Sequence, residues 1–337
     1  MRIGVTYDLR ADYLAMGYGE EETAEFDSEI TIAAICTALN GIGLTPVRIG
    51  GVKNLIAKLA KGERYDAVFN FCEGFRGTAR EAQVPAILDA FDIPHVFSDA
   101  LTMALSLDKG MAKRVVRDAG VPTVDFRVIE KLADVKKVDL TFPLFLKPVQ
   151  EGSGKGIGAD SKVENARDLR RVAGALLAKF SQPVLVETFL PGREFTVGII
   201  GTGEDAAVLG VSEIVPIDNW VGDGYGYENK AYSDDKVKIV EADPENSKAA
   251  GDVALAAWRA LRCRDGGRID IRCDGNGRHH FIEVNPLAGL RPDYSDLCLI
   301  AQRKGITHPQ LIAKIMAAFF KRNPELKVKS RPRVVAA

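Results

Sequence analysis

Short apolar runs alternate with amphipathic stretches over the first hundred residues of the chain. The apolar runs at residues 3–6, 46–49, 67–70 and 95–97 predict strands, and the stretches 28–39 and 81–91 predict helices. Strands that alternate with helices predict an α/β unit, in which a parallel sheet carries helices on its faces. Ligand-binding residues of such sheets follow the strand ends. The residues in those positions are Tyr7, Asp8, Cys72 and Glu73, for which ordinary loop positions are the alternative.

The later part of the chain has the mixed pattern of an α+β region. It predicts helices at 107–119, 165–180, 247–261 and 309–320, and strands at 126–129, 144–147, 184–187, 193–197, 268–272 and 281–285. Ser106 is the predicted cap of the first of these helices, which places Lys109 in its first turn. A lysine there opposes the helix dipole, so it indicates either a nearby anion or a solvated side chain.

Three segments fall outside this pattern. Residues 10–27 form a long acidic connection, for which a solvated, mobile face is the favoured interpretation and a lid the alternative. Residues 220–235 are rich in Gly, Tyr, Asn and Asp, hold Lys230, and predict a long loop that acts as a second lid. The tail at 323–337 is polar and basic and is predicted to be loose.

Composition limits the classes of function. A net charge of −1 gives no basic field for nucleic acid, and no apolar run reaches the length of a membrane span. The five cysteines are odd in number and form no Cys-x-x-Cys pair, which predicts reduced thiols in a cytoplasmic protein without a zinc site. Met1 leads directly into the first strand, so we expect no signal peptide. The 337 residues, 46% of them hydrophobic, suffice for two or three domains.

The most informative stretch is residues 143–158. An apolar run ends at Lys147 and Pro148, and glycines then recur at every second position from 152 to 158. Glycines let the backbone approach a phosphate closely and turn its N–H groups toward the anion, and Lys147 could add a fixed positive charge. The pattern is neither a Walker loop nor a dinucleotide fingerprint. It predicts a phosphate-binding flap, with a plain hairpin or surface turn as the alternative.

A second constellation contains Asp270, Glu283 and Asn285. Asp270 lies in one predicted strand, and Glu283 and Asn285 share a face of the next, so pairing of the strands would bring three oxygen-bearing side chains together. Buried carboxylates need cations, and oxygen ligands favour Mg²⁺. Arg268 lies on the same face as Asp270, so a buried ion pair is an equally weighted alternative.

Taken in order, these features resemble the ATP-grasp superfamily and, within it, the D-alanine–D-alanine ligases. The resemblance extends to about residue 320 and rests on separated motifs: Ser-Leu-Asp-Lys at 106–109, Lys147-Pro148 with Glu-Gly-Ser at 151–153, Val186-Glu187, Glu-Phe-Thr-Val at 194–197, Gly-Arg-Ile-Asp at 267–270, and Glu-Val-Asn at 283–285 with Gly289. It implies three domains, at 1–99, 100–184 and 185–322, with the nucleotide between the second and third and a flexible tail at 323–337.

The resemblance also implies roles for individual residues. Those for ATP are Lys109, Lys147 and Lys230 at the phosphates; Glu151, Gly152, Ser153 and Gly154 in the flap; Glu187, Phe189, Leu190 and Ile282 around adenine; and Glu194 at the ribose. Asp270, Glu283 and Asn285 would bind two Mg²⁺ ions, with Mn²⁺ as a further possibility. Arg268 and the Gly289 N–H would stabilise an oxyanion, and Ser153 would link the flap to the substrate site. Asp27 or Glu29 stands near the place of the family's substrate-amine glutamate.

The implied activity is ATP-dependent ligation of two amino acids, or of an amino acid and an amine, through an acyl phosphate, with release of ADP. We also expect a homodimer. The alternatives are an ATP-binding module without catalysis and a ligase for a metabolite outside the cell wall.

The chain departs from the family where the amino acids would bind. Glu73-Gly74 replaces a common His-Gly, and Ala231 intervenes before Tyr232. Glu73 together with the acidic segment favours a substrate with extra positive charge over D-alanine. The alternative is that Glu73 pairs internally with Arg76 or Arg80 and that the pocket still accepts D-alanine.

Overall fold

The computed structural model describes residues 1–217 and 237–329. Its first sheet is parallel, in the order β2-β1-β3-β4, and consists of β1 (Arg2–Tyr7), β2 (Thr45–Gly50), β3 (Ala67–Phe71) and β4 (His95–Val96). The helices between and beside these strands are α1 (Arg10–Ala15), α2 (Glu29–Gly41), α3 (Val52–Ala60) and α4 (Gln83–Ala90). All five residues of β3 are buried, as expected for an inner strand of a sheet covered on both faces.

Two helices, α5 (Ala100–Leu107) and α6 (Lys109–Asp118), replace the single helix predicted from residue 107. The prediction that Ser106 is the cap is wrong, because Ser106 lies inside α5. Asp108 caps α6 instead, since its carboxylate accepts the Met111 N–H at 2.8 Å. The break therefore makes Lys109 the first residue of α6.

The second sheet is antiparallel, in the order β5-β8-β6-β7, with β5 (Phe126–Ile129), β6 (Leu144–Pro148), β7 (Lys162–Val163) and β8 (Val184–Thr188). α7 (Ala166–Phe180) packs its apolar face on this sheet. Every residue of β6 is buried, and the glycine-rich flap (residues 150–158) follows it.

The third sheet is antiparallel, in the order β11-β10-β9-β12-β13. Its strands are β9 (Glu194–Ile200), β10 (Ala207–Pro216), β11 (Val237–Glu241), β12 (Gly266–Cys273) and β13 (His279–Asn285). α8 (Pro244–Ala260) covers one face and places the fully buried Trp258 in the core.

The remaining helices are α9 (Asp296–Arg303), α10 (His308–Arg322) and α11 (Pro324–Lys329). Side chains of α10 share one hydrophobic core with α2 of the first sheet. The tail that was predicted to be loose from residue 323 instead begins with α11, because Leu326 packs into this core and is 4% exposed. None of the described helices is long and apolar enough to cross a membrane.

Candidate active site

A cleft lies between the second and third sheets, with the flap at one side. Strands β6 and β8 supply one wall and β12 and β13 the other. The structure brings the following predicted residues together there: Lys109, Lys147, Glu151, Gly154, Glu187, Phe189, Leu190, Glu194, Asp270, Ile282 and Glu283. The flap and the acidic constellation, which are more than a hundred residues apart in the sequence, therefore face one space.

The floor of the cleft holds a buried carboxylate between two lysines. Glu187 lies 3.0 Å from Lys147 and 2.9 Å from Lys113. Burial would raise the pKa of Glu187, but the two ammonium groups outweigh it and hold that pKa below its usual value. Lys113 was missed in the sequence, where the only signal is its position one helical turn after Lys109 on α6.

The flap is fastened at its base by polar contacts to Glu151. The Glu151 carbonyl accepts a hydrogen bond from Lys109 at 2.6 Å, and its carboxylate contacts Lys155 and Gln182. Lys155, which is 7% exposed, lines the cleft and was also missed. The sequence signal for Lys155 is its position between Gly154 and Gly156. A lysine in a loop that closes over a ligand brings its positive charge to that ligand.

The far end of the cleft is apolar. The rings of Phe145 and Phe189 are stacked with centroids 6.4 Å apart, and Ile282 lines the same space from β13. Arg272 lies 3.3 Å from Glu194 and 5.5 Å from the Phe189 ring. A flat aromatic ligand with polar edges fits these surroundings.

Asp270 and Glu283 are direct cross-strand partners in the register of β12 and β13. Two carboxylates in that position repel each other unless a cation lies between or beside them. Arg268 Nη1 contacts Asp270 at 2.7 Å, and Lys109 lies 3.5 Å from Glu283. The Asn285 amide donates to Asp270 at 3.4 Å. The buried ion pair that was the alternative reading is thus present beside the proposed metal ligands.

Among the described residues, no group of three His, Cys, Asp or Glu side chains gathers to hold a metal. Two opposed carboxylates and one amide nevertheless fit Mg²⁺, which is commonly held by one or two carboxylates and completed by phosphates and water.

Arg268 lies beside the constellation and contacts Asp270 and Asp296. Its Nη1 atom contacts the Thr196 hydroxyl and the carboxylates of Asp270 and Asp296. Burial opposes the charge, but Asp270 and Asp296 outweigh it and raise the pKa of Arg268. Gly289 lies in the loop after β13, where an added Cβ would come within 2.8 Å of the Ser295 hydroxyl oxygen.

The structure does not bring Glu29 to the cleft. Its carboxylate is 59% exposed and pairs with Arg48 at 2.5 Å. The acid that meets the flap is Glu25, which accepts a hydrogen bond from the Gly152 N–H at 2.5 Å. The flap contact is therefore made by the backbone N–H of Gly152, next to Ser153, and the acid is Glu25 and not the predicted Asp27 or Glu29.

The acidic segment 10–27 packs against the rest of the protein and is only partly exposed to solvent. Phe26 is 7% exposed and packs on the Tyr13 ring at 4.3 Å, while Glu21 bonds Lys179 of α7 at 2.8 Å. Aromatic packing at one end and ion pairs at the other hold the segment against the second sheet. This arrangement supports the lid alternative over the mobile face.

At the carboxyl end of β3, Glu73 and Glu81 form no ion pair with any described residue; Arg80 contacts Glu25 instead. Burial and neighbouring acids raise the pKa of Glu73 well above its usual value. Burial raises the pKa of Glu81 to about 7. Internal pairing of Glu73, which was the alternative for this residue, is therefore not seen.

Two other strand-end candidates, Asp8 and Cys72, contact each other. Asp8 accepts hydrogen bonds from the Gly74 N–H at 2.9 Å and from Tyr13 at 2.7 Å, and Cys72 also contacts it. Lys230, which was predicted to reach the phosphates, lies outside the described residues.

Comparison with known proteins identifies a family for this chain. The family model described as D-ala D-ala ligase C-terminus matches residues 115–317. The D-alanine–D-alanine ligase of Bordetella petrii is 32% identical over 317 residues, which cover 91% of this chain and 94% of that protein. The D-alanine–D-alanine ligase of Aquifex aeolicus is 33% identical, with 84% and 92% covered.

Solved structures agree on the fold. The VanG D-Ala:D-Ser ligase of Enterococcus faecalis has a TM-score of 0.73 at 22% identity, covering 94% of this chain and 99% of that one.

Proposed function

The chain belongs to the D-alanine–D-alanine ligase family, and from that premise we propose that it activates the carboxylate of one amino acid with ATP and joins it to the amine of a second substrate. It is an ADP-forming ATP-grasp ligase that forms a peptide-type bond. The observation that carries the detailed assignment is the meeting of Lys109 and Lys147 with Asp270 and Glu283 in one cleft beside the flap.

ATP would lie along this cleft. Its adenine fits the apolar end, against Phe189, Ile282 and Phe145, with Glu187 and the Leu190 backbone at the polar edge. Glu194 would take the ribose hydroxyl groups. The phosphates would meet Lys109 and Lys147 and the glycine flap, with Lys155 as an additional cation.

Asp270, Glu283 and Asn285 would hold Mg²⁺, which supplies charge neutralisation for the transfer of the γ-phosphoryl group. The residues of the chain provide the rest of that neutralisation, because two anions, the substrate carboxylate and the triphosphate, must approach each other. Lys109 and Lys147 offset their charge, and the flap keeps water away.

Activation is needed because a carboxylate would have to expel oxide. In the acyl phosphate, the leaving group is phosphate, and attack by an amine gives a tetrahedral oxyanion. Arg268 and the Gly289 N–H would stabilise this oxyanion. A binding module without catalysis would have no need of these groups, and each of them is present in the chain.

We expect Lys147→Met to raise the KM for ATP by about 10- to 150-fold, because a hydrogen bond to a charged group contributes about 1.5–3 kcal/mol. Steady-state ADP release as a function of ATP concentration measures the effect. Lys136→Met removes an exposed lysine and is the control. An unchanged KM with a lowered melting temperature would reduce Lys147 to a counterion of Glu187.

The second part of the proposal concerns the substrate. Glu73 experiences the charges of Glu81, Glu25 and Asp27, and Arg80 is the opposing cation. Burial and these neighbouring acids raise the pKa of Glu73, so its carboxyl group tends to hold its proton until a cation comes close. An amino acid or amine with an additional positive charge would supply that cation. An ADP-release screen over amino-acid pairs tests this idea. D-alanine alone driving ADP release as well as any cationic partner would contradict it.

The same acids predict a pH dependence. Burial raises the pKa of Glu81 from 4.5 to about 7. The charge of Glu25 also raises this pKa, whereas the charges of Arg80 and Lys109 lower it. Its charge thus costs stability as pH rises from 4.5 to 7, and a bound cation would offset this cost. We expect kcat/KM for a cationic substrate to rise through pH 7, and Glu81→Gln to flatten the rise. An identical profile in Glu81→Gln would exclude Glu81 as the source.

We place the enzyme in the cytoplasm, which is supported by five free thiols, and propose a homodimer, for which light scattering is the test.

A further inference from the structure

The base of the flap is tied to the N-terminal part of the chain by a set of contacts that we call the clasp: the side chains of Glu25 and Arg80 and the backbone of Gln150 and Gly152. Arg80 donates to Glu25 at 2.9 Å and to the Gln150 carbonyl at 3.0 Å. Glu25 uses its other oxygen to accept the Gly152 N–H. The three segments thus form a closed ring of hydrogen bonds.

The clasp is shielded from water. The side chains of Arg80 and Glu25 are 9% and 11% exposed. Burial would raise the pKa of Glu25, but Arg80 and then Lys155 outweigh it and lower that pKa, so the carboxylate stays charged. Buried charge-assisted bonds of this kind are stronger than exposed ion pairs.

Gly152 is fitted to the clasp from the flap side. A Cβ added there would lie 2.5 Å from the Glu25 carboxylate oxygen, too close for any real side chain. The absence of a side chain at position 152 therefore allows the carboxylate to reach the flap backbone.

We propose that Arg80 is a positioning residue, which through Glu25 holds the start of the flap over the nucleotide cleft. Flap closure then depends on the docking of the acidic segment and the first sheet, so the N-terminal part of the chain controls the ATP site. The consequence for ATP rests on the proposed function; the clasp itself does not.

The planar fork of an arginine suits this task. One guanidinium group reaches two acceptors, Glu25 and Gln150, on separate segments. A lysine ammonium keeps the charge but lacks the fork. We therefore expect Arg80→Lys to show part, but not all, of the loss that Arg80→Met causes.

Hydrogen exchange of the ligand-free protein tests the clasp without any substrate. We expect Arg80→Met to speed amide exchange in residues 150–158 by about 10- to 100-fold and to leave β12 unchanged. Arg76→Met, which removes an exposed arginine of the same loop, is the matched control. Equal flap exchange in Arg80→Met and the wild type overturns the proposal.

A double-mutant comparison supplies the nucleotide readout. Glu25→Ala and Gly152→Ala should each raise the KM for ATP about tenfold, and the double variant should be no worse than the more impaired single variant, because both substitutions break the Glu25–Gly152 contact. Additive losses overturn the clasp. Failure of the wild type to bind ATP would instead refute the proposed function. The clasp would then be tested by hydrogen exchange of the flap alone.

Discussion

Glu283→Gln should lower kcat by about three orders of magnitude while ATP binding remains detectable. Glu283 is the cross-strand partner of Asp270 and lies 3.5 Å from Lys109. Loss of its charge would remove half of the carboxylate pair that fits Mg²⁺, and metal-assisted charge stabilisation contributes several kcal/mol, of which about 4 correspond to a thousandfold in rate. Single-turnover ADP formation separates this effect from binding.

Glu241→Gln is the control for this variant. It removes a carboxylate from β11, at the opposite edge of the same sheet, where Glu241 is 53% exposed and pairs with Lys304. Exposed pairs contribute little, so activity should be unchanged. Turnover within tenfold of the wild type in Glu283→Gln would contradict the metal assignment.

Arg268→Met should reduce kcat by about 100- to 1000-fold with little change in the KM for ATP, because removal of one oxyanion donor has that typical effect. The variant also leaves Asp270 without its 2.7 Å partner, so stability should fall. Steady-state kinetics together with thermal melting measure the two effects.

Arg268→Lys separates them. The ammonium group can pair with Asp270 and recover stability, but it lacks a second nitrogen directed at the substrate. We therefore expect near-normal melting and a kcat that stays low. Full recovery of kcat in Arg268→Lys would show that Arg268 acts only through Asp270.

Local spacing was sufficient to predict the strand and the flap of the proposed nucleotide site. The apolar run before Lys147 and the alternating glycines after it already describe a buried strand that ends in a flap. The placement of Glu283 and Asn285 two residues apart determines that they share a strand face. These features follow from the alternation of side chains between the two faces of a strand, which is visible in the sequence itself.

Only the tertiary structure decided which acid meets the flap. Six acids lie in the segment 10–27, and nothing local distinguishes them. Glu25 is selected because chain packing brings it to Gly152, 127 residues away, while Glu29 faces Arg48 at the surface.

Likewise, Arg80 contacts Gln150 across 70 residues, and Lys113 of α6 pairs with Glu187 of β8. Hydrogen bonds and ion pairs between distant segments leave no period in the sequence, and the energy of a buried charge depends on partners that only the fold supplies. The reaction class was therefore readable from motifs, whereas the connection of the N-terminal segment to the flap required the structure.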